Sequence, residues 1–476
     1  CWPITPTCSS TSTAAASALA KWKCTNELSA SRILALQPVA PIIRAVLDIK
    51  YIRQEPAAAK ERLVARGEEA SRIDELLALD EQRRALVTEA ETLQATRNAV
   101  SKEIGALMGQ GKKDEAEAKK TETRELGDKV DSLNAQRAEA DDAFNNLILT
   151  LPNLAHESVP VGDESANAEV KVEGEKQTFD FEPKGHLDLC DSLKLIDFER
   201  GAKLAGSGFL LYTGWGARLE RAMIQFLLDL HIHEHGYTEI SPPFMVKAEC
   251  MEGVGQFPKF LDQAYAVQEG LDGETLGKRY LIPTAEAPVA NLHRGEILSE
   301  EELPKKYCAY SPCFRAEAGA AGVATRGMIR VHQFDKVELI KVVKPETSYD
   351  ELEAMLANAE KVLQLLGLHY RVLLLSSGDM GFAAAKTYDI EVWAPGQGSY
   401  LEVSSVSNTE DFQSRRMKTR FKAEQGGNQL PHILNGSGVA LARLFVALIE
   451  THQQADGSIA IPEPLHSYLR ADRIPA

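Results

Sequence analysis

The stretch FRAEAGAAGVATRGMIRVHQFDKVEL, residues 314–339, joins two strand-like segments through a loop of small residues. Successive side chains of a strand point to opposite faces, so residues two apart share a face. The charged and aromatic side chains then share one face, namely Cys313, Arg315 and Glu317 in the first segment and Arg330, His332, Phe334, Lys336 and Glu338 in the second. The other face of the second segment carries Ile329, Val331, Val337 and Leu339. The pattern predicts an antiparallel hairpin with an apolar back and a front that carries ions and one exposed aromatic ring.

The connection between the two segments is too long and too rich in glycine for a tight hairpin turn. Gly319, Gly322 and Gly327 interrupt it. Long loops of this kind are commonly functional, which favours a binding or catalytic role. An ordinary hairpin with a solvated face is the alternative that this stretch alone leaves open.

Composition excludes several classes of protein. The chain has 476 residues, 44% of them hydrophobic and 26% charged, as in ordinary globular proteins. No apolar run approaches the ~18 residues of a membrane span. The seven cysteines form no C-x-x-C pair, which favours a reducing compartment. The net charge of -16 means that any RNA partner must be met by a local basic surface.

The first 45 residues differ from the rest of the chain. They are rich in Ser, Thr and Ala, and carry four basic residues against one acidic residue. We expect them to be disordered, either as the remains of an organelle transit peptide or as sequence upstream of a start at Val46. The second interpretation is favoured, and with it a cytoplasmic location. An organelle is the alternative if residues 1–45 are a transit peptide.

Residues 72–151 show a heptad pattern. Leu79, Leu86, Leu93, Val100 and Leu107 recur every seven residues. After GQGKKD, a second series contains Leu126, Val130, Leu133, Ala140, Phe144, Leu147 and Leu151. The pattern predicts two long antiparallel helices that reach on the order of 45 to 55 Å. A dimerising coiled coil and an RNA-binding arm both remain open, the latter through Arg83, Arg97, Lys102, Lys112, Lys113, Lys119, Lys120 and Arg124.

From about residue 155 the sequence predicts one large α+β domain on an antiparallel sheet. Three stretches in it carry candidate chemistry. LIPTAEAPVANLH (281–293) places Thr284 and Glu286 at a strand end. SYLEVSSVSN (399–408) sets Glu402 beside several hydroxyl groups, a set that suits hydrated Mg²⁺ near phosphate. HILNGSGVALARLFVALIE (432–450) contains an apolar helix that carries Arg443.

Three of these segments resemble the signature motifs of class II aminoacyl-tRNA synthetases. They are GYTEISPPFMV (236–246), the 314–339 hairpin and NGSGVALARLF (435–445). TAE (284–286), KTYDIEVWAPGQGSYLEVSSVSN (386–408) and the helical arm narrow the resemblance to bacterial-type seryl-tRNA synthetases, over about residues 46–469. This resemblance implies an α+β fold, with an N-terminal antiparallel coiled-coil arm and a class II catalytic domain. The implied division is a 1–45 extension, a 46–155 arm domain that binds tRNA, and a 156–476 catalytic domain.

The family resemblance also implies roles for individual residues. Arg315 would stabilise the transition state of serine activation by ATP, and Arg443 would assist at the adenine or the terminal phosphate. The implied ATP set is Arg315, Ala316, Glu317, Val331, Phe334, Glu402, Val403, Ser404, Ser405 and Arg443, in which Glu402 and Ser405 hold Mg²⁺. The implied serine set is Thr284, Ala285, Glu286, Glu338 and Ser437.

The same resemblance implies the partners. They are L-serine, ATP, tRNA(Ser), with tRNA(Sec) as an additional candidate, and a second copy of the chain bound through residues 236–246. The loop 318–327 would guide the tRNA acceptor end. Its tip AAGVATRG lacks the polar residues common in the family, which leaves Thr325 and Arg326 for RNA contacts. Two rival functions are a regulatory protein without turnover and a ligase that loads a carrier protein, whose known relatives lack the long arm.

Overall fold

The computed structural model describes residues 47–268, 278–317, 327–424 and 426–476. The segment 1–45, predicted to be disordered, and nearly all of the predicted loop 318–327 lie outside these ranges. Within the ranges, no helix combines the length and the apolar character that crossing a membrane requires.

The N-terminal part of the described chain is a long helical hairpin. Two short helices, α1 (Ile49–Gln54) and α2 (Pro56–Ala65), precede the long helices α3 (Ser71–Gly109) and α4 (Lys113–Leu149). Helix α3 has 39 residues and therefore spans about 58 Å, slightly more than the heptads predicted. The predicted antiparallel arm is confirmed.

The heptad positions of α3 are buried unevenly. Val100 is buried, whereas Leu79, Leu86, Leu93 and Leu107 are half-buried. Each helix of a two-helix hairpin has a single neighbour, and so the apolar stripe stays partly open to solvent. Close packing is therefore concentrated at the base of the arm, where it meets the rest of the chain.

Arg83 lies inside the base of the arm. Its Nε donates to Asp141 Oδ1 at 2.5 Å, both side chains are buried, and its guanidinium carbon lies 4.2 Å from the centre of the Phe144 ring. A buried charge of this kind requires a partner, and Asp141 supplies it. The prediction that Arg83 is among the residues open to RNA is wrong, because heptad spacing does not show which charged residue faces the other helix.

The rest of the described chain is built on an eight-stranded sheet, whose strands lie in the order β1 (Ala168–Glu173), β9 (Tyr370–Leu374), β10 (Lys386–Ala394), β11 (Ser399–Asn408), β14 (His432–Ala440), β8 (Gln333–Val343), β7 (Lys305–Phe314) and β2 (Thr238–Glu239). Its neighbouring strands are antiparallel except for the β2–β7 pair. The predicted α+β class is confirmed.

Smaller sheets and helices surround this sheet. The short strands are β3 (Met245–Lys247), β4 (Ala266–Gln268), β5 (Lys278–Leu281), β6 (Ile297–Ser299), β12 (Arg420–Lys422), β13 (Asn428–Gln429), β15 (Ile459–Ala460) and β16 (Arg473–Ile474). The helices are α5 (His186–Ser192), α6 (Phe198–Ala205), α7 (Gly214–His233), α8 (Ala248–Gly253), α9 (Glu286–Ala290), α10 (Ser348–Leu365), α11 (Phe412–Met417), α12 (Leu441–Thr451) and α13 (His466–Leu469). Helices α7, α10 and α12 contribute to the main apolar core.

The predicted hairpin is formed by β7 and β8, which pair from Lys305–Val342 to Phe314–Gln333. The second strand begins at Gln333, so Arg330 and His332 precede it. The prediction that the front of this hairpin is open to solvent is wrong. Lys336 and Glu338 are only 6% and 2% exposed, and Phe334 is half-buried. Period two identifies which residues share a face but not whether that face meets solvent. Here the front face lies within the protein, beside two cavities.

Candidate active site

The first cavity, here called the Thr284 cavity, has a volume of about 350 Å³. Thr284 and Glu286 reach it from the end of β5 and the start of α9, and Arg315 reaches it from the end of β7. Further lining residues include Phe260, Phe382, Ala383, Ser407, Thr409 and Asn435. The cavity thus gathers chain segments that are far apart in the sequence around one buried carboxylate.

Glu286 is held in place by two amides. Gln413 Nε2 donates to its Oε1 at 2.6 Å, and Asn435 Nδ2 donates to the same oxygen at 3.1 Å. Burial and then the nearby Glu338 carboxylate raise the pKa of Glu286 to about 7, while Gln413, Lys336 and Arg315 act in the opposite direction. A desolvated carboxylate fixed in this way is suited to bind a ligand's cationic group.

The second cavity, here called the Phe334 cavity, has a volume of about 320 Å³. Its lining includes Val331, Phe334, Glu402, Val403, Ser437 and Arg443. Arg315 and Glu317 line this cavity and the Thr284 cavity as well. Ligands in the two cavities would therefore meet at a guanidinium and a carboxylate.

Arg315 follows β7 and is anchored through its backbone. Its N–H donates to the carbonyl of His332 at 2.9 Å, and its own carbonyl lies 3.0 Å from Nδ1 of the same histidine. The guanidinium carbon is 5.1 Å from the centre of the Phe334 ring, within the range of a cation–π contact. The predicted neighbours Arg315 and Phe334 therefore share one surface.

The other charged groups of the Phe334 cavity are also paired. Glu317 has a positive φ of 48° and accepts from Arg330 Nε at 2.5 Å. All residues of α12 are buried except Arg443, which points away from the core. Arg443 donates to the Ile329 carbonyl at 3.1 Å and to the Glu402 carbonyl and carboxylate at 2.8 and 3.2 Å. These contacts hold the Glu317 carboxylate and the Arg443 guanidinium at the wall of the Phe334 cavity.

A bulge in β11 brings Glu402 and Ser405 to the same face. Residues three apart in a regular strand face opposite ways. The register passes from Ser404 opposite Ile390 to Glu402 opposite Glu391, so Val403 is the extra residue. Ser405 is paired with Asp389, which shares a face with Glu391. The bulge therefore makes the predicted Glu402–Ser405 pairing geometrically feasible.

The oxygen atoms on this face suit Mg²⁺. Glu402, Ser405 and Asp389 are hard ligands, and Asp389 Oδ1 is buried without a hydrogen-bond partner. Burial, and then the charge of Glu402, raise the pKa of Asp389 to about 8, so a bound cation would favour the ionised form of this carboxyl group. In the described ranges no cluster of three or more His, Cys, Asp or Glu side chains could hold a metal. An ion here would need further oxygen atoms from its ligand.

Five predicted site residues line neither cavity: Ala285, Ala316, Glu338, Ser404 and Ser405. Glu338 is buried behind the wall, where it accepts from Thr284 Oγ1 at 2.8 Å and forms an ion pair with Lys336. Ser437 lies opposite Glu338 in the sheet register. The Ser404 hydroxyl is directed inward, where it donates to the Ser437 carbonyl at 2.5 Å.

Sequence reasoning missed Gln413 and gave Lys336 no role. Gln413 contacts Glu286 across 127 positions of sequence, and no local pattern signals such a contact. Lys336 could have been found, because it shares the strand face of Phe334 and Glu338. It is the cation that balances Glu338.

The antiparallel sheet and the two cavities joined at Arg315 agree with the resemblance to the class II aminoacyl-tRNA synthetases. In agreement, the family model of the tRNA synthetase class II core domain (G, H, P, S and T) matches residues 270–452. That of the seryl-tRNA synthetase N-terminal domain matches residues 46–155.

Individual relatives narrow the class. The chain is 52% identical to a serine–tRNA ligase of Akkermansia muciniphila over 431 residues, 90% of this chain and 99% of the relative. It is 51% identical to that of Carboxydothermus hydrogenoformans, with the same coverage. A crystal structure of seryl-tRNA synthetase from Pyrococcus horikoshii complexed with ATP matches with a TM-score of 0.84 at 37% identity, over 90% of this chain and all of that one. The chain belongs to the seryl-tRNA synthetase family, whose members are serine–tRNA ligases.

Proposed function

We propose that this chain joins L-serine to tRNA in two steps, through a seryl-adenylate. The observation that carries this proposal is the meeting of the two cavities at Arg315 and Glu317. The Thr284 cavity would hold the amino acid and the Phe334 cavity would hold ATP. The Pyrococcus horikoshii relative, which was solved with ATP, supports the choice of nucleotide.

In the first step a serine carboxylate oxygen attacks the α-phosphorus of ATP. The bond from that phosphorus to the bridging oxygen breaks, and pyrophosphate leaves. Such a displacement depends mainly on placement and on neutralising charge. Arg315, at the junction of the cavities, would contact the carboxylate and the α-phosphate together and stabilise the charge of the transition state.

The rest of the Phe334 cavity would bind the nucleotide. Phe334 would stack on the adenine, Glu317 would accept from its amino group, and the Val331 backbone would complete the contact. Arg443 would leave Glu402 for the terminal phosphate or the adenine face. Glu402 and Ser405 would hold Mg²⁺, which neutralises phosphate charge when it is bound.

Serine would be oriented by its ammonium and hydroxyl groups. Glu286 and Thr284 lie on the cavity wall and would bind the ammonium. The hydroxyl would extend toward Glu338, which lies behind the cavity wall at Thr284, and Ser437, which faces Glu338 across β8 and β14 and lines the adjoining Phe334 cavity. In the second step a hydroxyl of the terminal tRNA ribose attacks the serine carbonyl carbon, and AMP leaves.

Exchange of labelled pyrophosphate into ATP tests the first step directly. We expect L-serine to support exchange and the other common amino acids to support little. A chain that exchanges with no amino acid, despite its folded state, would be the regulatory protein without turnover. The presence of Arg315 at the junction, and of Glu402 and Arg443 in the Phe334 cavity, speaks against that alternative.

The affinity for serine is expected to fall below pH 7. Because the pKa of Glu286 is raised to about 7, its carboxyl group is neutral at lower pH and loses its attraction for ammonium. The KM for serine should then rise by up to about tenfold per pH unit below pH 7. The KM for ATP should not show this rise, because Glu286 does not line the Phe334 cavity. Gln413→Leu removes a hydrogen bond that lowers this pKa, so the inflection should move to higher pH. A serine KM independent of pH between 5.5 and 8.5 would contradict the assignment.

We also propose that residues 46–155 form a tRNA-binding domain and residues 156–476 the catalytic domain. On the arm, Lys112, Lys119 and Lys120 pair with glutamates. In the described chain, the exposed side chains of Lys102, Lys113, Arg124 and Lys129 have no ion-pair partner. Such cations suit RNA phosphates, and a double-stranded stem is recognised largely by shape. If the arm selects a tRNA by the position of such a stem, it would also accept tRNA(Sec), which is a second candidate substrate.

Shortening the arm should separate the two steps. Replacing residues 91–132 with a short Gly/Ser linker keeps the Arg83–Asp141 pair and the base of the arm. We expect serine-dependent pyrophosphate exchange to stay within a few-fold of the full chain, and charging of tRNA(Ser) to fall by about 10²-fold. In the full chain, charging should weaken steeply with salt. Normal charging by the shortened protein would instead support the dimerising coiled coil.

A homodimer through residues 236–246 is part of the proposal. Phe244 and Met245 in this segment are 37% and 47% exposed. Apolar side chains grouped at a surface are typical of protein interfaces. Sedimentation of the full chain and of a Phe244→Glu variant would test this, because the charge should shift the protein toward monomer.

A further inference from the structure

The polypeptide that leaves the arm contacts the wall of the Thr284 cavity. Asn153, four residues after the end of α4, is only 6% exposed. Its backbone N–H donates to the carbonyl of Phe382 at 2.9 Å. Its side-chain amide donates to the carbonyls of Ala383 and Thr409 at 3.0 and 2.9 Å. All three accepting residues line the Thr284 cavity.

The accepting carbonyls belong to two different connections. Phe382 and Ala383 lie between β9 and β10, and Thr409 follows β11. One amide group therefore ties two loops of the cavity wall to the base of the arm. The orientation of this amide is fixed as well, because Asn153 Oδ1 accepts from the Leu154 N–H at 2.9 Å. The Thr409 carbonyl also accepts from the Phe412 N–H at 3.2 Å, so the contacts with the Phe382 and Ala383 carbonyls are the ones that depend most on Asn153.

A second connection runs through the short helix α11. Arg416 donates to the carbonyl of Leu149, the last residue of α4, at 3.1 Å. Three positions earlier, Gln413 donates to Glu286. Phe412 packs in one apolar cluster with Phe144 of the arm and Phe382 of the cavity wall. The end of the arm and the proposed ammonium-binding carboxylate are thus held by one six-residue helix.

We propose that Asn153 is a positioning residue for serine binding, so that the base of the arm forms part of the amino-acid site. This proposal rests on the assignment of the Thr284 cavity to serine. Asn153 does not line the cavity, and it would act through Ala383 and Thr409. A small amino acid has few contacts, so a shift of the wall by a fraction of an ångström removes a large share of them.

Steady-state pyrophosphate exchange by the full chain tests the proposal. We expect Asn153→Ala to raise the KM for serine by ~10-fold, since misplacement on the order of 1 Å can cost up to ~10². The KM for ATP should change by less than about twofold, because none of the three residues that accept hydrogen bonds from Asn153 lines the Phe334 cavity. A purely structural role would lower the active fraction and the melting temperature but leave both KM values unchanged.

Thr150→Val is the matched control. Thr150 Oγ1 accepts from Arg72 at 2.5 Å and donates to the Leu147 carbonyl at 2.7 Å at the same end of the arm, so its side-chain hydrogen bonds in the described structure stay within the arm. This variant should lose stability without a change in the KM for serine. An unchanged KM in folded Asn153→Ala, or an equal rise in Thr150→Val, would overturn the proposal.

The wild-type chain supplies a measurement that depends on no variant. If the base of the arm contributes to serine binding, serine must in turn stabilise it, because coupling is reciprocal. Saturating L-serine should therefore slow hydrogen exchange at residues 150–155 and leave residues 100–120 unchanged. No slowing at 150–155 would contradict the inference, even if Asn153→Ala fails to fold. If L-serine supported no exchange of pyrophosphate into ATP by the wild-type chain, the proposed function would be overturned, and the inference with it.

Discussion

Alanine is expected to be activated with a kcat/KM about 10⁴-fold below that of L-serine. The groups proposed to bind the serine hydroxyl are deeply buried, with Glu338 and Ser437 exposed by only 2% and 9%. Alanine would lack the hydroxyl that serine offers to Ser437 and Glu338, in a place that water fills poorly, although Glu338 keeps its contacts with Thr284 and Lys336. Leaving buried groups unsatisfied costs far more than losing one exposed hydrogen bond.

The measurement is pyrophosphate exchange with each amino acid over a range of concentrations. Alanine must be freed of contaminating serine, because a trace of serine would mask the difference. Ser437→Ala should narrow the ratio mainly by lowering kcat/KM for serine. Comparable activation of the two amino acids by the wild type would show that the hydroxyl is bound elsewhere or not at all.

Arg315→Ala is expected to slow adenylate formation by ~10² to 10³-fold, the scale seen when one preorganised donor is removed. Arg315 lines both cavities and its backbone is held by hydrogen bonds to His332, so its guanidinium would lie where charge is proposed to develop. A lysine keeps the charge but not the two-pronged geometry, and Arg315→Lys should recover little of the rate.

Single-turnover formation of seryl-adenylate is the appropriate measurement, because it isolates the chemical step from product release. Arg473→Ala serves as the control, since this arginine forms an exposed ion pair with Asp456 at 3.0 Å. That variant should react at the wild-type rate. If Arg315→Ala formed seryl-adenylate at a rate within a few-fold of wild type, the role proposed for Arg315 would belong to another residue.

The sequence predicted those features that depend on local periodicity. Heptads between 72 and 151 indicated the arm, and alternation in 314–339 indicated the β7–β8 hairpin. Periodicity could not show that Lys336 and Glu338 face an interior wall, because the same alternation describes a solvated strand. It also gave no sign of the bulge at Val403, whose register depends on the partner strand β10.

Contacts between distant segments could not be predicted either. Gln413 and Glu286 are 127 positions apart, and Asn153 and Thr409 are 256 positions apart. Neither pair has a spacing or composition that distinguishes it from other polar residues. The chemistry-bearing residues were thus found from motifs, while the residues that hold them became visible only in three dimensions.

Because the arm is long, a small rotation at its base produces a large displacement at its tip. At about 58 Å from the base, each degree of tilt displaces the tip by about 1 Å. A hydrogen bond at the tip tolerates only a few tenths of an ångström. The accuracy with which the tip meets another molecule is therefore set by the stiffness of the few contacts at the opposite end, where Leu149 contacts Arg416 and Asn153 contacts the cavity wall. Substitutions at the base should therefore weaken the contacts that the tip makes with another molecule, although they change no residue at the tip.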